Sequence, residues 1–308
     1  MDDVRRALPP AERDRIELVG VDATASEADL SRIEAAIRWD LDDAGFRRLL
    51  DQAPKLRWLH SPGAGVERWP LGELADRGIV LTNGAGVFAI PIAEWVLTAM
   101  LTAVKRTVAV NDAQRAHRWA TDIQADELYG KTLLVLGTGG IGAAVIARAS
   151  GFGMRILAGN RSGRPVGGAQ RTIKGAAWRD ALRDADFVVV TVPLTEETTG
   201  MIGADELRSF KPGAWLLNVG RGATIDEPAL IDALTHGSLG GAALDAWTTE
   251  PLPPDDLAWD ASNMILSPHM SGSSPANRAR ILALFMDNLR RFVADQPLIN
   301  TVDLSAGY

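Results

Sequence analysis

Three ionisable side chains have the types that carbonyl reduction uses. Arg221 lies in NVGRG, Glu250 in DAWTTEP and His269 in SPHMSG. Each follows an apolar run that reads as a strand, and in an open α/β sheet the carboxyl ends of strands face the ligand crevice. A guanidinium can hold a carboxylate with two parallel hydrogen bonds. An imidazolium can give its proton to a carbonyl oxygen as hydride arrives. A carboxylate bonded to the imidazole orients the ring and favours its charged form. That is the set needed to reduce a 2-keto acid. Taken singly, each residue reads equally well as a cap or half of an ion pair. Of the other three histidines, His117 sits in a charged helical stretch and His236 beside Gly237 at a helix end. His60 ends a strand beside a glycine turn and is a rival that could face the crevice.

The second signal is Gly137-Thr138-Gly139-Gly140-Ile141-Gly142, a GxGxxG between the strand-like TLLVL and a helical stretch, 143–150. Alone the pattern is weak in a chain with 30 glycines. Its strand–turn–helix setting is what a dinucleotide pyrophosphate requires. An NAD site usually carries an acid about 20 residues further on, for the ribose 2′-hydroxyl. Here Asn160, Arg161, Ser162 and Arg164 stand instead. Two guanidiniums, a hydroxyl and an amide suit a 2′-phosphate, so NADP(H) is expected to be preferred, with NAD(H) as the alternative. Val192, Pro193, Thr198, Val219 and Gly220, after later strands, and Asp245, the last residue of the run 242–245, complete the expected cofactor contacts.

The elements that must position these groups alternate between strand-like and helix-like. Six apolar runs in the middle of the chain, at 132–136, 155–158, 187–191, 214–218, 242–245 and 264–267, predict a doubly wound parallel sheet covered on both faces. Before them, short runs at 17–21, 35–39, 56–60 and 79–82 predict a smaller four-stranded sheet, with helices at 27–33 and 42–52. A helix opened by Pro91 is expected to run to about Ala116, and another spans 275–293. The expected division is discontinuous: 1–88 and 274–308 form a flavodoxin-like substrate domain, and 89–273 a Rossmann-type dinucleotide-binding domain.

Composition narrows the classes. Of 308 residues, 46% are hydrophobic and 23% charged, an ordinary globular mixture. No cysteine is present, which excludes disulfides, thiolate catalysis, Fe–S clusters and Cys-type zinc sites; no metal site is expected. A net charge of −7 without a basic run argues against nucleic acid. The most membrane-like stretch, 84–104, contains Pro91 and Glu94 and reads as a buried loop and helix. No signal-peptide pattern opens the chain, and a cytoplasmic protein is expected.

In order, the motifs GKTLLVLGTGGIG, VVVTVPLTEETTGMIGADEL, FKPGAWLLNVGRGATIDEPALIDAL, LDAWTTEPLP and SPHMSG resemble those of the D-isomer-specific 2-hydroxyacid dehydrogenase family. The likeness runs from about Leu18 to Arg291 and is strongest from Gly130 to Gly272. It implies a homodimer whose domains close over a cleft, with hydride passing between the nicotinamide C4 and C2 of a 2-keto acid or (R)-2-hydroxy acid. The family's arginine, glutamate and proton-donating histidine fall on Arg221, Glu250 and His269. Ala64 and Gly65 resemble its carboxylate-holding loop, and 83–88 its first interdomain crossing. A glyoxylate or hydroxypyruvate reductase, or a related enzyme, is the leading expectation. Glu250 argues against a formate-type branch, where glutamine is usual. A phosphite-type enzyme and a nucleotide-sensing protein of the corepressor type remain alternatives. Three departures stand out. Asn160 replaces a common aspartate, which supports NADP. Trp247 is larger than the usual aromatic. The usual first strand is missing, since 2–8 is too charged to be buried and helix-like residues follow. Either the small sheet lacks that strand, or the natural start lies upstream.

Overall fold

Short apolar runs between charged helices give the first unit, Met1–Phe88 with Ser274–Tyr308, a three-stranded parallel sheet. Its strands are β1 (Ala35–Ile37), β2 (Trp58–His60) and β3 (Val80–Thr82), in that spatial order. Trp58 stands opposite Ala35 and Val80. The computed structural model describes residues 2–9, 16–21, 25–39 and 41–307. Alternation along β2 sends side chains to opposite faces. Leu59 packs with Phe46, Leu49, Leu74 and Leu81 on one face. Trp58 packs on the other with Phe285, Met286 and Leu289 from the helix Asn277–Val293. Asp42 caps the helix Asp43–Gln52 by accepting the Gly45 N–H at 2.7 Å.

The expected fourth strand at 17–21 does not form; residues 16–21 carry no regular structure. Their apolar side chains are used even so. Leu18 packs on the Trp58 cluster, and Val19 and Val21 on the Leu59 cluster. Side chains shared between two clusters account for the alternating apolar pattern without strand pairing among the described residues. Residues 2–7 are helical, in keeping with their charge. The helix-like residues expected next fall largely at 10–15, outside the described residues.

The second unit, Ala89–Ser273, holds a seven-stranded, wholly parallel sheet. Its strands are β4 (Thr132–Leu136), β5 (Arg155–Asn160), β6 (Arg171–Lys174), β7 (Phe187–Val190), β8 (Trp215–Asn218), β9 (Gly241–Leu244) and β10 (Met264–Leu266). The order is β10-β9-β8-β7-β4-β5-β6, so the chain reverses direction across the sheet beside β4. A ligand is held at such a switch point, outside the strand carboxyl ends. Strands β4, β7 and β9 are buried along their whole length. The six expected strands become seven because β6 escapes the apolar pattern: it reads RTIK, buries only Ile173 and lies at the edge.

The expected long helix is two helices, Ala89–Lys105 and Thr107–Arg115. Arg106 between them has φ +52°, a left-handed conformation that no α-helix continues through. Pro91 sits in the first turn, where its missing N–H costs nothing. Ten residues of the first helix are buried, which accounts for its membrane-like composition. Among the described residues, no helix is long and apolar enough to cross a membrane.

Candidate active site

The glycine loop joins β4 to the helix Gly140–Ser150. Gly137 has φ +95°. A Cβ on Gly142 would lie 2.0 Å from the Gly137 carbonyl oxygen, so the helix can approach its strand only with glycine there. A Cβ on Gly139 would meet nothing within 4 Å. The space behind the turn is therefore closed, and the space before it is open. No side chain caps the helix at Gly139, its N-cap residue. First-turn amides at the positive end of a helix dipole, facing open space, fit a pyrophosphate. Thr191, which sequence reasoning passed over, donates from Oγ1 to the Gly137 carbonyl at 2.8 Å and fastens the turn to the end of β7.

At the end of β5, Asn160 spends its amide on its own loop. Its Nδ2 donates to Thr138 Oγ1 at 3.2 Å and to the Arg164 carbonyl at 3.0 Å. Its Oδ1 accepts the Gly163 N–H at 2.6 Å and the Ser162 hydroxyl at 3.3 Å. Asn160 thus shapes the turn, while Arg161, Ser162 and Arg164 stand exposed on it. Of the other expected cofactor contacts, Val192 is half-buried against the core and Val219 is buried. Thr198 donates to the Pro193 carbonyl at 2.7 Å and so closes the loop after β7.

Arg221 leaves β8 on a turn built by Asn218. The wholly buried Asn218 amide accepts the Gly220 N–H at 3.0 Å and donates to the Arg221 carbonyl at 2.9 Å. Asn218 carries no chemistry of its own, so its type gave no signal. His269 leaves β10 on a loop organised by Asp245. The buried Asp245 carboxylate accepts the Ser267 hydroxyl at 2.5 Å, the Met270 N–H at 2.8 Å, the Ser271 N–H at 3.0 Å and the Ser271 hydroxyl. Expected at the cofactor, Asp245 is occupied here in holding the histidine loop, where His269 takes φ +54°.

His269 Nδ1 lies 2.9 Å from both Glu250 oxygens. Glu250 is itself held, because its Oε1 accepts the Trp247 N–H at 2.9 Å. Trp247 is buried, with its indole N–H on the Ser267 carbonyl at 3.1 Å, so its bulk ties the glutamate and histidine loops together. With Nδ1–H on the carboxylate, the half-exposed ring keeps Nε2 without a partner among the described residues. A protonated ring in this setting can donate from Nε2.

The remaining histidines do other work. His60, the rival, is fully buried in the first unit. Its Nδ1 meets Thr82 Oγ1 at 2.8 Å, and its ring packs on Trp58 and Phe285. Burial pushes its pKa down to about 4. The strand alternation that points Leu59 one way points His60 into the core the other way. His236 closes a helix, with Nδ1 2.9 Å from the Asp232 carbonyl, and His117 is exposed.

In the first unit, Gly63–Gly65 follows β2. Neither the Ala64 nor the Gly65 N–H has an acceptor among the described residues, and Ala64 is exposed. Two such donors suit an anion.

Comparison with known proteins gives the class, a nicotinamide-dependent oxidoreductase acting on CH–OH groups. A profile of the D-isomer specific 2-hydroxyacid dehydrogenase NAD binding domain matches residues 97–271, and the chain belongs to that family. It is 36% identical over 257 residues to a glyoxylate reductase of Korarchaeum cryptofilum, covering 82% of this chain and 77% of that one. A D-isomer specific 2-hydroxyacid dehydrogenase family protein from Aeromonas salmonicida superposes with TM-score 0.80 at 34% identity, over 90% of this chain and 87% of that one. An NADPH-dependent glyoxylate/hydroxypyruvate reductase from Sinorhizobium meliloti, solved with NADP and sulfate, does so with TM-score 0.80 at 28% identity, over 97% and 90%. The chain is a 2-keto acid reductase of this family.

Proposed function

We propose that the protein reduces small 2-keto acids, glyoxylate and hydroxypyruvate foremost, with NADPH. The observation that carries this is the His269–Glu250 pair, 2.9 Å apart at both oxygens, with Nε2 left to a substrate. Arg221 holds the substrate carboxylate as a fork. The Ala64 and Gly65 amides of the first unit, with no acceptor among the described residues, suit a substrate carboxylate by their own chemistry. His269 gives the Nε2 proton to the carbonyl oxygen, and Glu250 holds the ring by Nδ1 so that Nε2 faces the substrate. The nicotinamide, when bound, supplies the hydride that C2 takes up. The glycine loop and the helix behind it hold the pyrophosphate, with Val192, Pro193, Thr198, Val219 and Gly220 around the cofactor. Asp245 keeps the His269 loop in place beside it.

For the cofactor, the exposed guanidiniums of Arg161 and Arg164 and the Ser162 hydroxyl flank a turn without a carboxylate. A 2′-phosphate meets attraction there instead of repulsion. The relative from Sinorhizobium meliloti, described as NADPH-dependent, supports the same reading. A cytoplasmic homodimer belongs to it as well. The exposed Val108, Val110, Trp119 and Tyr129 of the second unit offer apolar surface to a second copy, and the mass in solution tests this.

The test is turnover followed at the nicotinamide absorbance, with glyoxylate, hydroxypyruvate, pyruvate and phenylpyruvate. The expected result is oxidation of NADPH by the smaller acids, with kcat/KM at least about tenfold above NADH, the scale of one charge-assisted contact. A preference for NADH sinks the cofactor assignment. No turnover with any acid leaves the nucleotide-sensing role in its place.

A further inference from the structure

We propose that Asn83, backed by Asn300, is a positioning residue that aims the Ala64 and Gly65 amides at the substrate carboxylate; this rests on the reading of that loop given above. From the sequence, Asn83 belonged only to a segment resembling an interdomain crossing. The hydrogen bonds around it point to a second task.

In a trans peptide unit the C=O and N–H point in opposite directions. Holding the carbonyl of one residue therefore aims the N–H of the next. The Gly63 carbonyl accepts the Gly84 N–H at 2.8 Å, which turns the Ala64 N–H away from residues 83–84. The Ala64 carbonyl accepts Asn83 Nδ2 at 2.8 Å, which turns the Gly65 N–H away likewise. Two consecutive peptide planes are pinned by two consecutive residues, and their donors are left facing outward. Were the second plane to flip, the Ala64 carbonyl oxygen would replace the Gly65 N–H and repel an anion.

Asn83 is itself fixed, with 8% of its surface exposed. Its Oδ1 accepts the Ala85 N–H at 3.1 Å, which settles the amide orientation and sends Nδ2 toward Ala64. Its backbone N–H donates to the Asn300 carbonyl at 3.1 Å. Asn300 Nδ2 donates back to the Ala85 carbonyl at 2.8 Å and the Asn83 carbonyl at 3.3 Å. Asn300 has φ +57°, which asparagine tolerates better than most residues. The residue before it is locked too: buried Asn288 accepts the Ile299 N–H at 2.7 Å and donates to the Ile299 carbonyl at 2.9 Å. Three asparagines thus connect the helix Asn277–Val293 to the loop.

Steady-state kinetics with NADPH test the role. Every 2-keto acid shares the carboxylate, so misaimed amides weaken all of them alike. Asn83→Ala is expected to raise KM by about tenfold, by the same factor for glyoxylate, hydroxypyruvate and phenylpyruvate. kcat should stay within about threefold and NADPH affinity within about twofold. Asn300→Gly, which keeps the left-handed backbone and loses the side-chain donor, should move KM in the same direction by less. Asn83→Asp should not restore the wild-type value, because it sets a carboxylate oxygen against the Ala64 carbonyl. An unchanged KM in Asn83→Ala overturns the proposal, as does a rise that differs tenfold between substrates. If Asn83→Ala does not fold, Asn300→Gly decides, and an unchanged KM there overturns it. Gly65→Pro, which deletes the amide proton, separates this from the underlying reading. If it leaves KM unchanged, the loop does not hold the carboxylate. If it raises KM while Asn83→Ala does not, only the positioning role fails.

Discussion

A histidine that must donate one proton in one direction needs its other nitrogen occupied. Glu250 does that for His269, at 2.9 Å from both carboxylate oxygens. The arrangement extends inward, because Glu250 also accepts the Trp247 N–H and Asp245 gathers the loop on both sides of the ring. His269→Ala is therefore expected to lower kcat by about 10²–10⁴, the usual contribution of a general acid. NADPH affinity, read by fluorescence titration, should stay within about twofold, because the glycine loop is untouched. Unchanged turnover would show that another group donates. The ionisable residues of the proposed site, Arg221, Glu250 and His269, can be picked out from the sequence by type and place, and the structure pairs two of them, Glu250 and His269. Asn218, Thr191 and Asn83 cannot be picked out in this way. They act by holding backbone, and an amide or hydroxyl in a loop looks the same whether it holds a catalytic turn or an idle one.

At the level of elements, the strongest constraint is the fit of a helix against β4. The Gly137 carbonyl occupies the place where a side chain at position 142 would begin. Gly142→Ala should force the helix outward, costing roughly 1–3 kcal/mol as an overpacked contact does. NADPH affinity should fall by at least about tenfold as the first-turn amides shift, with a lower Tm. An alanine variant that binds NADPH normally would mean that the helix has room to move. Element types were read well where both faces of a strand are covered and the run is apolar throughout, as in TLLVL and FVVV. They were misread at the edges. RTIK pairs with β5 although three of its four residues avoid the core. ELVGV half-buries its apolar residues yet pairs with no strand among the described residues. Burial pattern reports what a side chain meets, and only the partner strand decides whether the backbone is bonded. Arg106 hid in a similar way, since nothing in its type announces a left-handed residue between two helices.

Over the whole molecule, the response to acid has one buried contributor in the first unit, His60. His60 is neutral in the folded core down to about pH 4, whereas an unfolded chain protonates it near 6.5. Between these values the unfolded state binds more protons, so stability falls as pH drops through that window. The full gap is worth on the order of 3 kcal/mol. Urea midpoints at pH 7 and pH 4.5 should therefore fall further apart in the wild type than in His60→Leu, whose side chain takes no proton. Equal shifts in both proteins would show that His60 does not govern the acid response. The units differ in the way their chain is arranged. The second is one unbroken stretch, Ala89–Ser273, and the first needs Ser274–Tyr308 to join Met1–Phe88. During translation the whole of the second unit is thus synthesised before the segment bearing Asn288 and Asn300. The residues proposed to hold a dinucleotide are therefore joined to the chain before the asparagines proposed to steady the carboxylate loop.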